Sequence, residues 1–254
     1  MRKAERMKQI ERYVSGHDFV TLNELSEKFA VHINTIRSDV SELVQLGVLN
    51  KTYGGVTSKS ARIPSSFDER LSIDTETKQV IGQLAAELLE EDDVIYVDSG
   101  TTVQTIFNAT KLPRHLTVIT NNISVINHTF AFPDYTVFVL PGRLERELNC
   151  FASLETIDSI QTYNINKAFI GVRGISKNGE LSSASQIDAK MKKTIITVSQ
   201  SVILMAAAYK VEHPSIINYA SLRDVDIWVC NDETELIREL CEVNDSKLIT
   251  PAGQ

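Results

Sequence analysis

A chain of 254 residues with 43% hydrophobic and 23% charged side chains has the balance of a globular protein that buries a substantial core. Its longest apolar run, residues 202–209, falls far short of the roughly 20 residues that a membrane helix needs and reads instead as a buried strand. Three cysteines, Cys150, Cys230 and Cys241, with no C-x-x-C spacing argue against a disulfide framework and a zinc site, and are expected to be reduced packing residues.

The charge is unevenly spread. Residues 1–62 carry 10 Lys/Arg against 7 Asp/Glu, whereas residues 63–254 carry 16 against 26. A basic segment on an acidic body implies that one small region faces a polyanion. The charged, amphipathic N-terminus has no apolar signal core behind it, so the chain is expected to stay in the cytoplasm without membrane contact.

Helical spacing of Met7, Ile10, Tyr13 and Val14 predicts a first helix over 3–15, broken at 16–18. Thr21 followed three residues later by Glu24 is a capping-box signature: the hydroxyl accepts the Glu24 amide and the carboxylate reaches back to the Thr21 amide. It opens a second helix over 22–29 that buries Leu22, Leu25 and Phe29. After a short connection, Ile33, Ile36, Val40, Leu43 and Leu46 form the buried stripe of a third helix. Two short helices joined by a tight turn form a helix-turn-helix pattern. Asn34, Thr35, Arg37 and Ser38 face outward near the start of the third helix, and their side chains suit phosphate oxygens and base edges in a major groove. Residues 48–51 and 53–56 read as a hairpin wing, with Gly54-Gly55 supplying unusual backbone angles. Lys51, Tyr53 and Gly54 are its candidate contacts. Taken alone, the pattern also fits a small helical bundle with Arg37 and Lys51 as solvated charges.

The run VHINTIRSDVSELVQLGVLNKTYGGV, residues 31–56, resembles the DNA-binding signature of the DeoR family of bacterial regulators. The resemblance implies that Thr35, Arg37 and Asp39 lie on a recognition helix, with Asp39 orienting Arg37 or a backbone group rather than touching DNA. Ser38 stands where the family usually has a second Arg, which removes one phosphate contact and leaves more of the affinity to the wing.

A Ser-rich, aperiodic stretch containing Pro64 then marks a linker. The expected organisation is a winged helix-turn-helix domain over 1–57, the linker over 58–66 and an α/β domain over 67–254. Val80, Ile81, Leu84, Leu88 and Leu89 predict a long helix, followed by strands at 94–97, 117–120, 136–140, 167–172, 201–206 and 227–230 with helical stretches between several of them. Such a succession argues for an α/β sheet, whose ligands sit beyond the carboxyl ends of its strands. The first strand ends in Asp98-Ser99-Gly100-Thr101-Thr102, which offers backbone N–H groups and hydroxyls to an anion at a helix start. The plainer alternative is that Asp98 and Thr101 are caps and Gly100 makes the turn. Other strand ends add Thr120-Asn121-Asn122, Pro141-Gly142-Arg143, Gly171-Val172-Arg173-Gly174 and Lys210.

The segments YVDSGTTVQTI, TNN, GRL, GVRGIS and DAKMKK are similar to the effector domain of DeoR-type regulators, which is related to ribose-5-phosphate isomerase and senses phosphorylated sugars. That likeness implies a pocket lined by Asp98, Gly100, Thr101, Thr102, Thr120, Asn121, Gly142, Arg143 and Lys210, with Asp188 and Lys192 at the family's acidic and basic helix positions. Two departures stand out. Ala207-Ala208-Tyr209-Lys210 lacks the usual acid, an acceptor for a sugar hydroxyl or for Lys210, and Pro141-Gly142 replaces a glycine pair.

The expected function is therefore a DNA-binding transcriptional repressor of a carbohydrate-metabolism operon, regulated by a phosphorylated sugar or related metabolite. One winged helix reads only a short half-site, so a homo-oligomer, dimer or tetramer, is expected on operator double-stranded DNA. Two alternatives stay open: a ligand-independent regulator or activator that lost sensing with Ala207, and a phosphosugar isomerase, which would lack its carboxylate base at 172–175 and 207. No catalytic residue, metal ligand or cofactor is expected, because the chain has no P-loop, dinucleotide fingerprint or clustered ligands.

Overall fold

In the computed structural model, which describes residues 3–15, 19–46, 48–52, 55–58 and 67–251, the contacts divide the chain into two units, Met1–Ile73 and Asp74–Gln254. The compositional change at residue 67 is the start of a short helix that falls in the first unit, so the division lies beyond the boundary expected from composition.

The first unit holds α1 (Lys3–Ser15), β1 (Val20–Thr21), α2 (Leu22–Phe29), α3 (Ile33–Gln45), β2 (Leu49–Thr52), β3 (Gly55–Ser58) and α4 (Phe67–Ser72). The strands form an antiparallel sheet in the order β1-β3-β2, with the wing strands later than expected and β1 added as a third. Tyr53, Gly54 and residues 59–66 of the linker lie outside the described residues. Ile10, Val14, Val20, Leu25, Ile36, Val40, Leu43, Leu49 and Val56 make one core. Leu46, expected in that stripe, is 66% exposed because α3 ends one residue before it. Thr21 caps α2 by accepting the Glu24 amide at 3.0 Å, but the Glu24 carboxylate accepts from the Tyr13 hydroxyl at 2.7 Å instead of closing the box. Gly55 is glycine for space rather than for backbone angle: a Cβ there would collide with the Val20 carbonyl and the Phe19 ring.

The second unit contains α5 (Thr75–Ala86), β4 (Val94–Val97), β5 (Thr117–Thr120), α6 (Ile123–Thr129), β6 (Thr136–Val139), β7 (Arg143–Glu145), β8 (Cys150–Ala152), α7 (Leu154–Ile160), β9 (Ile165–Ile170), β10 (Gly174–Ile175), β11 (Glu180–Ser183), α8 (Gln186–Val198), β12 (Ser199–Met205), β13 (Ile217–Ser221), β14 (Ile227–Val229), α9 (Glu235–Asn244) and β15 (Lys247–Ile249). Seven strands form a parallel sheet in the order β15-β14-β12-β9-β4-β5-β6. Alternate side chains enter two cores, Tyr96, Ile119 and Trp228 in one and Ile95, Val118 and Phe169 in the other, as burial on both faces of a parallel sheet requires. From β4 the chain winds outward through β5 and β6, then returns to β9 and winds the other way. The topological switch point, where ligands of open α/β sheets bind, therefore lies beyond the carboxyl ends of β4 and β9. A second, antiparallel sheet, β10-β11-β13, and the hairpin β7–β8 complete the unit.

Candidate functional sites: a DNA-binding face and a switch-point crevice

Helix α3 carries two opposed stripes. Ile36, Asp39, Val40 and Leu43 are buried, while Asn34, Arg37, Ser38 and Ser41 are exposed and Thr35 sits half-buried on the shoulder. The exposed set falls at i, i+3, i+4 and i+7, one polar face of a helix; Ser41 belongs to it and was not among the candidates. The His32 ring nitrogen caps the helix by accepting the Asn34 amide, and the Asn34 side-chain oxygen accepts from Arg37 Nη1 at 3.1 Å, which pre-orients the guanidinium. Asp39 does not orient Arg37. It is buried and accepts from Arg6 Nε of α1 at 2.5 Å and from Nη2 at 3.2 Å, so it braces the recognition helix against α1. Lys51 on β2 is exposed.

In the second unit, the strand ends come together through named bonds. The Gly171 amide beyond β9 donates to Asp98 Oδ2 beyond β4 at 2.9 Å. Asn122 Nδ2 donates to the Asp98 carbonyl at 3.0 Å, and the Asn122 amide donates to Thr120 Oγ1 at 3.0 Å. The Tyr96 hydroxyl donates to Asn121 Oδ1, whose Nδ2 donates to the Phe151 carbonyl of β8 and ties the hairpin to β5. Lys210 Nζ donates to the Val172 carbonyl at 2.9 Å, the orientation that the missing acid at position 207 was expected to supply. Ala207 itself is buried in a core.

The loop at 98–102 departs from expectation in one respect. The segment that follows, Val103–Asn108, is a short 3₁₀ helix, held by the Thr105 hydroxyl donating to the carbonyls of Thr102 and Lys78. A single tight coil has little macrodipole, so anion attraction at this loop falls to hydroxyls, amides and nearby cations. Thr101 and Thr102 are each 7% exposed, and neither hydroxyl has a hydrogen-bond partner among the described residues. Lys78, whose burial was not foreseen, is 5% exposed on α5, and its backbone carbonyl accepts the Thr105 hydroxyl. A lysine in an otherwise ordinary amphipathic pattern gives no signal of burial.

Under the crevice floor lies an ionic cluster. Lys192 on α8 is buried between Asp188 at 2.5 Å and Asp98 at 3.2 Å, and the Ser183 hydroxyl donates to Asp188 at 2.6 Å. Burial raises the Asp98 carboxyl above its ordinary value; Lys192 offsets part of the rise and Asp188 adds to it. Burial works against the Lys192 charge too, but Asp188 and Asp98 overcome it and hold the ammonium above its usual range. Gly142 and Arg143 lie on the outer hairpin: Gly142 has φ +154° and a Cβ there would meet Thr156 Oγ1, while Arg143 pairs with Glu145 at 2.6 Å and is 81% exposed.

A helix-turn-helix unit with a polar, cation-bearing face and a doubly wound unit with a polar crevice at its switch point define a DNA-binding regulator with an α/β sensor domain. The comparisons agree: a DeoR-like helix-turn-helix domain matches residues 6–62 and a DeoR C-terminal sensor domain matches residues 73–232. The chain belongs to the DeoR family of transcriptional regulators and is not an enzyme. It is 30% identical over 220 residues to the HTH-type transcriptional regulator IolR of Bacillus subtilis strain 168, covering 86% of this chain and 87% of that one. The glycerol-3-phosphate regulon repressor of Escherichia coli K12 is 26% identical over 226 residues, with 89% and 90% covered. The HTH-type transcriptional repressor GlcR of Bacillus subtilis strain 168 is 29% identical over 235 residues, with 90% and 88% covered. No helix among the described residues is long and apolar enough to cross a membrane.

Proposed function

We propose that this protein is a cytoplasmic repressor that leaves its operator when a phosphorylated sugar or related metabolite occupies the switch-point crevice. The observation that carries the reading is the pair Thr101 and Thr102 beside Gly100: both residues are largely buried, yet neither hydroxyl is taken by another described residue. Hydroxyls that the packing of their own residues has already fixed in place suit a phosphate, which accepts several hydrogen bonds at once. In this reading Asp98, Thr120 and Asn121, whose side-chain bonds are made within the fold, shape the floor of the site, while Lys210 and, from the outer side, Gly142-Arg143 supply the contacts to the sugar. The names of the glycerol-3-phosphate regulon repressor and of the repressor GlcR support the sign of regulation, and the first of them supports a phosphorylated metabolite.

On the DNA side, Asn34, Thr35, Arg37 and Ser38 enter the major groove while Lys51, Tyr53 and Gly54 of the wing reach the backbone. A homo-oligomer presents two such faces to paired half-sites. Effector binding shifts the population toward an arrangement that no longer matches the half-site spacing, with residues 58–66 as the connecting linker. The test is Thr101→Ala: operator affinity stays at the wild-type value while the effector concentration for release rises at least tenfold. A wild-type response removes Thr101 from the site.

A further inference from the structure

The seven-stranded sheet ends at β6, and no strand among the described residues pairs with that edge. Residues 136–139 read Thr-Val-Phe-Val, with no charge, no proline and no bulge in the register against β5. Soluble proteins ordinarily interrupt such an edge, because its outward N–H and C=O groups accept a further strand. The parallel pairing fixes which groups these are. The Thr136 amide donates to the Leu116 carbonyl and the Leu140 amide to the Thr120 carbonyl, both at 2.9 Å, so the alternate residues Val137 and Val139 turn their backbone groups outward. Phe138 is 43% and Val139 46% exposed, whereas Ile119 and Thr120, their register partners on β5, are fully buried.

We propose that β6 is the surface through which two copies of this chain associate, pairing antiparallel about a twofold axis at Phe138. The inference rests on the reading of the chain as a homo-oligomer. In that register Val137 of each copy lies opposite Val139 of the other, and both outward sets of N–H and C=O groups are satisfied. The two Phe138 side chains form a non-hydrogen-bonded pair, the arrangement in which cross-strand side chains approach most closely. The flanks complement one another as well. Asp134, which precedes the strand and pairs with Arg114 at 3.2 Å, faces the end of the second copy that carries exposed Arg143, paired with Glu145, so charges of alternating sign line each end of the contact. One patch thus serves both partners, as an isologous contact requires.

The full-length protein tests this through two variants. Phe138→Cys places a thiol at the axis, and the three native cysteines are buried. Mild oxidation gives a disulfide-linked dimer on a non-reducing gel, while Val80→Cys, at an exposed position on α5, stays monomeric on the same gel. Phe138→Asp sets two carboxylates face to face and weakens association about a hundredfold in sedimentation, with the circular dichroism spectrum unchanged. If Phe138→Asp fails to fold, the cysteine variant decides. Wild-type protein that sediments as a monomer overturns both this contact and the homo-oligomer reading. A wild-type oligomer with no cross-link through Phe138→Cys overturns the β6 contact alone.

Discussion

Asp98 Oδ2 accepts the Gly171 amide at 2.9 Å and also lies 3.2 Å from Lys192 Nζ, so one carboxylate ties together the two strand ends that bound the crevice and anchors them to α8. The ends of β4 and β9 thus rest on a buried ion cluster with two carboxylates and one ammonium.

Lys192→Met leaves those carboxylates buried without a counter-charge and is expected to cost about 3–5 kcal/mol of stability at neutral pH. The deficit depends on pH in a defined direction. A carboxyl whose folded-state pKa lies above its unfolded value favours the folded state at low pH, and that contribution disappears as pH rises through the folded value. Asp98 is already raised with Lys192 present. The variant therefore recovers stability at pH 5 relative to pH 8, as measured by denaturant unfolding at the two values; an equal deficit at both contradicts the cluster's role.

Arg37→Ala and Arg6→Ala separate DNA contact from bracing. Loss of Arg37 weakens operator binding and lowers the salt slope by about one if the guanidinium meets phosphate, while the melting temperature stays unchanged. Loss of Arg6 leaves buried Asp39 without its guanidinium and lowers the melting temperature of the first unit. Calorimetry alongside DNA titration distinguishes the two.

Gly55→Ala forces a methyl group into the Val20 carbonyl and the Phe19 ring. The expected cost is about 1–3 kcal/mol, with weaker operator binding as the wing shifts. Unfolding midpoints of the isolated pair, wild type and variant, check it.

Cys150 and Cys230 have thiols pushed up to about 12, and Cys241 to about 11, in each case chiefly by burial. All three are expected to be inert to a thiol reagent at pH 8 in the folded protein and to react together on unfolding. Rapid labelling of the native state would contradict their burial.

Sequence pattern was most informative where both ends of an element are chemically marked. Helix α2 has the limits expected of it because Thr21 caps its start and Ala30, at φ 50°, turns its end. The central parallel strands were readable from their apolar runs, since both faces are buried. Strands β1, β7, β10 and β15 were not, because two or three residues carry no periodicity. Partners across long separations were equally hidden: nothing local distinguishes Lys192 from Lys190 or Lys193, yet only Lys192 is buried against Asp98. Competition misled two local rules. Tyr13 takes the Glu24 carboxylate that a capping box would use, and Arg6 takes the Asp39 that Arg37 was expected to share.

The most direct test of the account is operator binding by the wild-type protein at fixed salt, using DNA from upstream of its own and neighbouring genes, titrated with sugar phosphates and with the corresponding free sugars. The account predicts specific binding that one phosphorylated compound releases and its unphosphorylated counterpart does not. Equal release by the free sugar would contradict phosphate recognition at Gly100 to Thr102, and specific binding unmoved by any compound of the class would contradict the sensor role of the crevice.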